Sequence, residues 1–175
     1  MTKRITISTL DAMKASGDKF VMITAYDATF ARLASEAGAE TILVGDSLGM
    51  VLQGHETTIP VSLDAMTYHT ECVARARPHS LIVADLPFMS FSNADDTLHA
   101  STRLMQAGAQ MVKLEGGTWL SDSIHRLVER GVPVCAHLGL TPQSVNVFGG
   151  YRVQGRTPKE AKSILADAVE IQDAG

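Results

Sequence analysis

Three acidic residues stand where apolar runs give way to turns. Residues 42–44 (Ile-Leu-Val) run into Gly45, Asp46 and Ser47; residues 81–84 (Leu-Ile-Val-Ala) run into Asp85; residues 111–114 (Met-Val-Lys-Leu) run into Glu115. Short apolar runs bounded this way read as buried parallel strands. Strands of a parallel α/β fold end on one side of the sheet, so Asp46, Asp85 and Glu115 are expected to meet there. Carboxylates gathered in one place repel one another unless a cation neutralises them. Oxygen donors of this kind suit Mg²⁺, and the three acids are the expected metal ligands. The plainer alternative is that each acid caps the helix after its own strand. Taken singly, that is the better account; three acids in phase favour a site.

Lys113 lies two residues before Glu115, so both point to the same face of one strand. A lysine there needs an anionic partner, either one of the acids or an anionic substrate. Ser47 follows Asp46 directly and reads as a turn cap or a substrate contact. His137 closes a fifth apolar run, where a histidine is a structural hydrogen bonder or a substrate contact. Gly45-Asp46-Ser47-Leu48-Gly49 is not a GxSxG elbow, so a serine triad is not expected. His55 falls in a polar loop, and His69, His79, His99 and His125 fall on helices or helix ends, where they are expected to be solvated.

The elements that must position these residues follow from spacing. A short helix begins at Ser8 or Thr9 and ends near Gly17. Strands are expected over 20–25, 42–44, 80–84, 110–114 and 132–136. Helices are expected over 28–37, from Ser62 to about Arg77, from Asn93 to Gly108, from Thr118 to Gly131, and from Thr157 to the chain end. Pro158 sits at the first position of the last helix. Residues 51–60 read as a long polar loop. Residues 148–156 carry glycines and two arginines, and read as a lid or a subunit contact.

Strand and helix alternate five times, which specifies a parallel α/β protein. No GxGxxG follows the first strand, and chemistry-bearing residues end at least four strands. Both facts favour a (β/α)₈ TIM barrel over an open sheet. Such a barrel takes about 250 residues. The 175-residue chain therefore supplies roughly the first five strand–helix units of one incomplete barrel domain, 1–175, and is expected to be a piece or an interrupted product.

Composition narrows the partners. The formal charge is −4, and no basic stripe suggests nucleic acid. Cys72 and Cys135 lie far apart without a CxxC pair, as in a reducing cytoplasm. Met1-Thr2-Lys3-Arg4 is basic but no apolar signal core follows, and no run approaches a membrane span.

The motifs, in order, resemble the ketopantoate hydroxymethyltransferase family. They are Thr24-Ala25-Tyr26-Asp27, Val44-Gly45-Asp46-Ser47-Leu48-Gly49-Met50, Gln53-Gly54-His55, Ala84-Asp85-Leu86-Pro87-Phe88-Met89, Val112-Lys113-Leu114-Glu115-Gly116-Gly117 and His137-Leu138-Gly139-Leu140-Thr141-Pro142-Gln143. Phe148-Gly149-Gly150-Tyr151 and Val153-Gln154-Gly155-Arg156 complete the set. The resemblance implies a (β/α)₈ barrel with Mg²⁺ and a cytoplasmic homo-oligomer, typically a decamer. It also implies hydroxymethyl transfer from 5,10-methylenetetrahydrofolate to 3-methyl-2-oxobutanoate in pantothenate biosynthesis. It makes Asp46, Asp85 and Glu115 the metal-site acids, and Asp46, Ser47, Asp85, Lys113 and His137 the 2-oxo acid contacts. Its general base lies on the following strand, beyond Gly175. The competing expectations are a Mg²⁺-dependent carbon–carbon lyase on a similar barrel, or a fragment that binds metal and 2-oxo acid without turnover.

Overall fold

The computed structural model describes residues 4–175; the remainder of the basic start, Met1 to Lys3, lies outside the described residues. The strands are β1 (Met22–Thr24), β2 (Thr41–Val44), β3 (Leu81–Asp85), β4 (Met111–Glu115) and β5 (Val134–His137). They pair in chain order, all parallel, as the first half of a barrel wall would. The larger helices are α1 (Ile7–Ser16), α2 (Ala28–Glu36), α4 (Leu63–Arg75), α5 (Ala94–Gln106), α6 (Ser121–Glu129) and α8 (Pro158–Ala174). Two single-turn helices, α3 (Leu48–Val51) and α7 (Val145–Phe148), follow β2 and β5.

Local chemistry sets the helix starts. Asp27, Ser62, Asn93 and Thr157 each accept a backbone N–H of the first turn, and Thr157 forms a reciprocal capping box with Glu160. Two boundaries depart from expectation. Thr6, not Ser8 or Thr9, caps α1, because Thr9 serves as the other half of a capping box. Thr118 begins a 3₁₀ turn over Thr118–Leu120, and α6 proper starts at Ser121.

The two faces of the sheet do different work. Ile42, Val44, Ile82, Ala84, Val112 and Leu114 join Ala31, Met66, Val73, Leu104, Ile124 and Leu127 in the helix-side core. Alternation then sends Leu43, Val83, Lys113 and Cys135 to the opposite face. The register sets Asp85 beside Lys113 and Glu115 beside His137. The polar residues therefore cluster on the face away from the helices, at the carboxyl ends of β3, β4 and β5.

Candidate active site at the strand ends

Lys113 occupies the centre of the cluster. Its ammonium donates to Asp85 Oδ1 at 2.5 Å and lies 3.7 Å from Glu115 Oε1. Asp85 Oδ2 accepts the Asp46 backbone N–H at 3.1 Å, tying the end of β3 to the turn after β2. That approach needs Gly45, where a Cβ would stand 3.3 Å from Asp85 Oδ2 and 2.9 Å from Ser47 Oγ. Asp46 Oδ2 accepts Gln143 Nε2 at 2.8 Å. Ser47 Oγ lies 2.9 Å from the Tyr26 hydroxyl at the end of β1.

Glu115 is held entirely by protein donors. His137 Nδ1 lies 3.0 Å from Oε1, and the Gln143 backbone N–H donates to Oε2 at 3.1 Å. An ionised carboxylate can only accept, so Nδ1 carries a proton directed at Glu115. Gln143 also donates from Nε2 to the Leu86 carbonyl at 2.9 Å. Both partners of its amide nitrogen are acceptors, which fixes the orientation of the carboxamide. One residue on the 3₁₀ turn after β5 thus ties together the ends of β2 and β3 through its side chain and the end of β4 through its backbone N–H.

Asp46 and Asp85 are each 3% exposed and Glu115 is 6% exposed. Burial, and next the charge of Asp85, push the Asp46 carboxyl up to about 7, against the hydrogen bond from Gln143. Burial opposes charge on Lys113, but Asp85, Glu115 and Asp46 outweigh it and raise its pKa, so it stays an ammonium. Burial also lifts the Asp85 carboxyl above the usual carboxylate range despite the pull of Lys113. At a 2.5 Å contact, the ammonium–carboxylate form is the one the geometry supports. Three carboxylates around one ammonium leave the pocket with surplus negative charge.

That surplus is the test of fit for a divalent cation. Asp46 and Asp85 are adjacent, buried and oxygen-donating, and burial, then repulsion from Asp85, raises Asp46; this donor set fits Mg²⁺, which is commonly bound through one or two carboxylates plus water and substrate. Glu115 has both oxygens hydrogen-bonded, by His137 and Gln143, just as Asp85 has by Lys113 and the Asp46 N–H; each oxygen keeps a further lone pair. Among the described residues, no set of three or more His, Cys, Asp or Glu side chains converges into a metal cage. The three acids do meet, and none caps the helix after its own strand.

All five expected substrate contacts, Asp46, Ser47, Asp85, Lys113 and His137, fall in this one cluster. Sequence reasoning missed Gln143 and Tyr26. Tyr26 lies two residues past β1, as Asp46 lies two residues past β2, and that shared position was its signal. Gln143 sits on an irregular segment with no periodicity to betray it. His69 was expected to be solvated; it is instead partly buried, its Nδ1 2.8 Å from the Tyr26 carbonyl.

A parallel sheet in sequential order, with the acid cluster at its carboxyl ends, is the arrangement of a β/α barrel. Solved structures agree on the fold. A phosphonopyruvate hydrolase in complex with oxalate and Mg²⁺ superposes with a TM-score of 0.71 at 16% identity, covering 95% of this chain and 59% of that one. A 2,3-dimethylmalate lyase of the PEP mutase/isocitrate lyase superfamily gives 0.68 at 16% identity, covering 96% and 60%. Residues 4–175 match the sequence profile of ketopantoate hydroxymethyltransferase, and the chain belongs to that family. The 3-methyl-2-oxobutanoate hydroxymethyltransferase of Burkholderia vietnamiensis is 60% identical over 98% of this chain and 63% of its own length. That of Saccharophagus degradans is 53% identical over 100% of this chain and 65% of its own. The chain thus spans a little under two thirds of the curated relatives it matches.

Proposed function

We propose that this chain carries the metal- and 2-oxo-acid-binding half of a hydroxymethyltransferase. The reaction converts 3-methyl-2-oxobutanoate, 5,10-methylenetetrahydrofolate and water to 2-dehydropantoate and tetrahydrofolate, with water supplying the new hydroxyl, in pantothenate biosynthesis. The observation that carries this reading is the Asp46–Asp85–Lys113 constellation at the strand ends, in a chain of this family.

Asp46 and Asp85 would hold Mg²⁺. When bound, the ion supplies positive charge opposite the oxygen on which negative charge develops as C3 loses its proton. Lys113 adds a fixed ammonium on the same face and pairs with the substrate carboxylate. Ser47, positioned by Tyr26, offers a hydroxyl beside Asp46. His137, its proton held toward Glu115, presents a fixed ring to the pocket. Burial of the cluster excludes water and strengthens each of these interactions. Deprotonation at C3 needs a general base, which we assign to the whole protein's following strand. We also read the protein as a cytoplasmic homo-oligomer, in keeping with its acidic balance and two free cysteines, Cys72 and Cys135. Among the described residues, no helix is long and apolar enough to cross a membrane.

Calorimetric titration with 3-methyl-2-oxobutanoate tests the reading. Saturable binding is expected with Mg²⁺ and not with EDTA, and Asp85→Asn should abolish it. Equal binding with and without Mg²⁺ would contradict it.

A further inference from the structure

A second recess opens beside the acid cluster and shares residues with it. It encloses about 160 Å³, and Phe88, Met89, Phe91 and Trp119 form its apolar sides. Phe91 is buried, whereas Trp119 is 63% exposed although its indole is stacked on Phe91 at 6.0 Å and 13°. The indole is seated on bare backbone: a Cβ on Gly116 would lie 2.5 Å from Trp119 Cζ2. Met89 adopts a left-handed backbone, φ +62, which a non-glycine residue rarely holds and which recurs at ligand clamps. These features fix flat, polarisable walls at the mouth of the strand-end site.

The polar part of the recess consists of Glu115, Gln143 and two serines. Gln143 Oε1 is buried and has no donor, because its Nε2 is committed to Asp46 and Leu86. A buried acceptor without a partner calls for a donor from a ligand or water. No basic residue lines this recess, and Glu115 lends it negative character. An anionic 2-oxo acid is therefore disfavoured here and belongs with Lys113. The complementary ligand is a neutral, planar ring that bears N–H donors.

We infer that the recess formed by Phe88, Met89, Phe91 and Trp119 seats the planar two-ring heterocycle of the one-carbon donor. This rests on the transferase reading above and deepens it. Carbon–carbon bond formation requires the carrier's methylene to reach C3 of the 2-oxo acid. Glu115 and Gln143 belong to both the recess and the acid cluster, so ligands in the two places are neighbours. The volume suits one ring system, with the rest of the carrier running out past exposed Met89 and Trp119.

Trp119 is the sole tryptophan of the chain, so it reports on this recess directly. The test titrates tetrahydrofolate into the full chain by calorimetry, in parallel with tryptophan emission corrected for ligand absorbance. Saturable binding with quenching of Trp119 is expected. Trp119→Leu should raise the dissociation constant at least tenfold and leave Mg²⁺-dependent binding of 3-methyl-2-oxobutanoate within twofold. Phe88→Ala, at another exposed wall position, should weaken tetrahydrofolate in the same sense. Unchanged tetrahydrofolate binding in both variants, or absence of saturable binding to the wild type, would overturn the inference while the 2-oxo acid site stood. Competition between the 2-oxo acid and tetrahydrofolate for one site would overturn it as well. Loss of 2-oxo acid binding in the wild type, with tetrahydrofolate still bound at Trp119, would instead remove the reading it rests on.

Discussion

Replacing Asp46 by Asn should stabilise the metal-free protein, by an amount that grows from about pH 4 and levels off above about pH 7. In the folded chain, burial and Asp85 lift the Asp46 carboxyl from its ordinary 3.8 to about 7. The unfolded chain ionises it near the ordinary value. Between these limits the folded state binds more protons, so this group's contribution to stability falls as pH rises from about 4 to about 7. Above that window the ionised folded form carries a penalty of up to about 4 kcal/mol. Asn removes the charge and still accepts the Gln143 hydrogen bond through its own oxygen. With about 1 kcal/mol returned for a weaker, neutral hydrogen bond, the expected gain at pH 8 is about 2–3 kcal/mol. Urea unfolding with EDTA at pH 4 and pH 8 measures it. The gain should vanish at pH 4, and Mg²⁺ at pH 8 should stabilise wild type but not Asp46→Asn. A variant less stable than wild type at pH 8, or a gain equal at both pH values, would refute the reasoning.

Lys113→Met leaves Asp85 buried without its counter-ion and should lose about 3–5 kcal/mol in denaturant unfolding at neutral pH, together with 2-oxo acid binding. Gln143→Ala removes the tie between Asp46 and the Leu86 carbonyl; a loss of about 1–3 kcal/mol and weaker Mg²⁺ affinity are expected by thermal shift and calorimetry. Leu104→Ala empties a fully buried position behind the sheet and should cost about 2–5 kcal/mol without changing Mg²⁺ affinity per folded molecule. In the whole protein, NMR in D₂O should show Mg²⁺-dependent exchange of the C3 hydrogen of 3-methyl-2-oxobutanoate without folate, which a carbon–carbon lyase should not catalyse.

The strand ends were legible because parallel strands carry a strong local signal. Ile42 to Val44 and Leu81 to Ala84 are continuous apolar runs, and each stops at a residue that the sheet then delivers to the same place. Lys113 and Glu115 followed from the two-residue repeat of one strand. What remained hidden depends on long-range geometry. Gln143 lies 97 residues from Asp46, on an irregular turn, and only the completed sheet brings its amide to that carboxylate. Which donors reach each acid was equally invisible, since those of Glu115 come from the end of β5 and the turn after it. Trp119 falls inside the helix expected from Thr118, and only the fold shows that the bare backbone of Gly116 lets its indole lie against Phe91.

Titration with Mn²⁺ as a paramagnetic stand-in for Mg²⁺, followed by electron paramagnetic resonance, tests the central claim most directly. The account predicts one ion per chain in the wild type, displaced by Mg²⁺ and abolished by Asp85→Asn. Unchanged stoichiometry and affinity in Asp85→Asn would contradict the strand-end cation site.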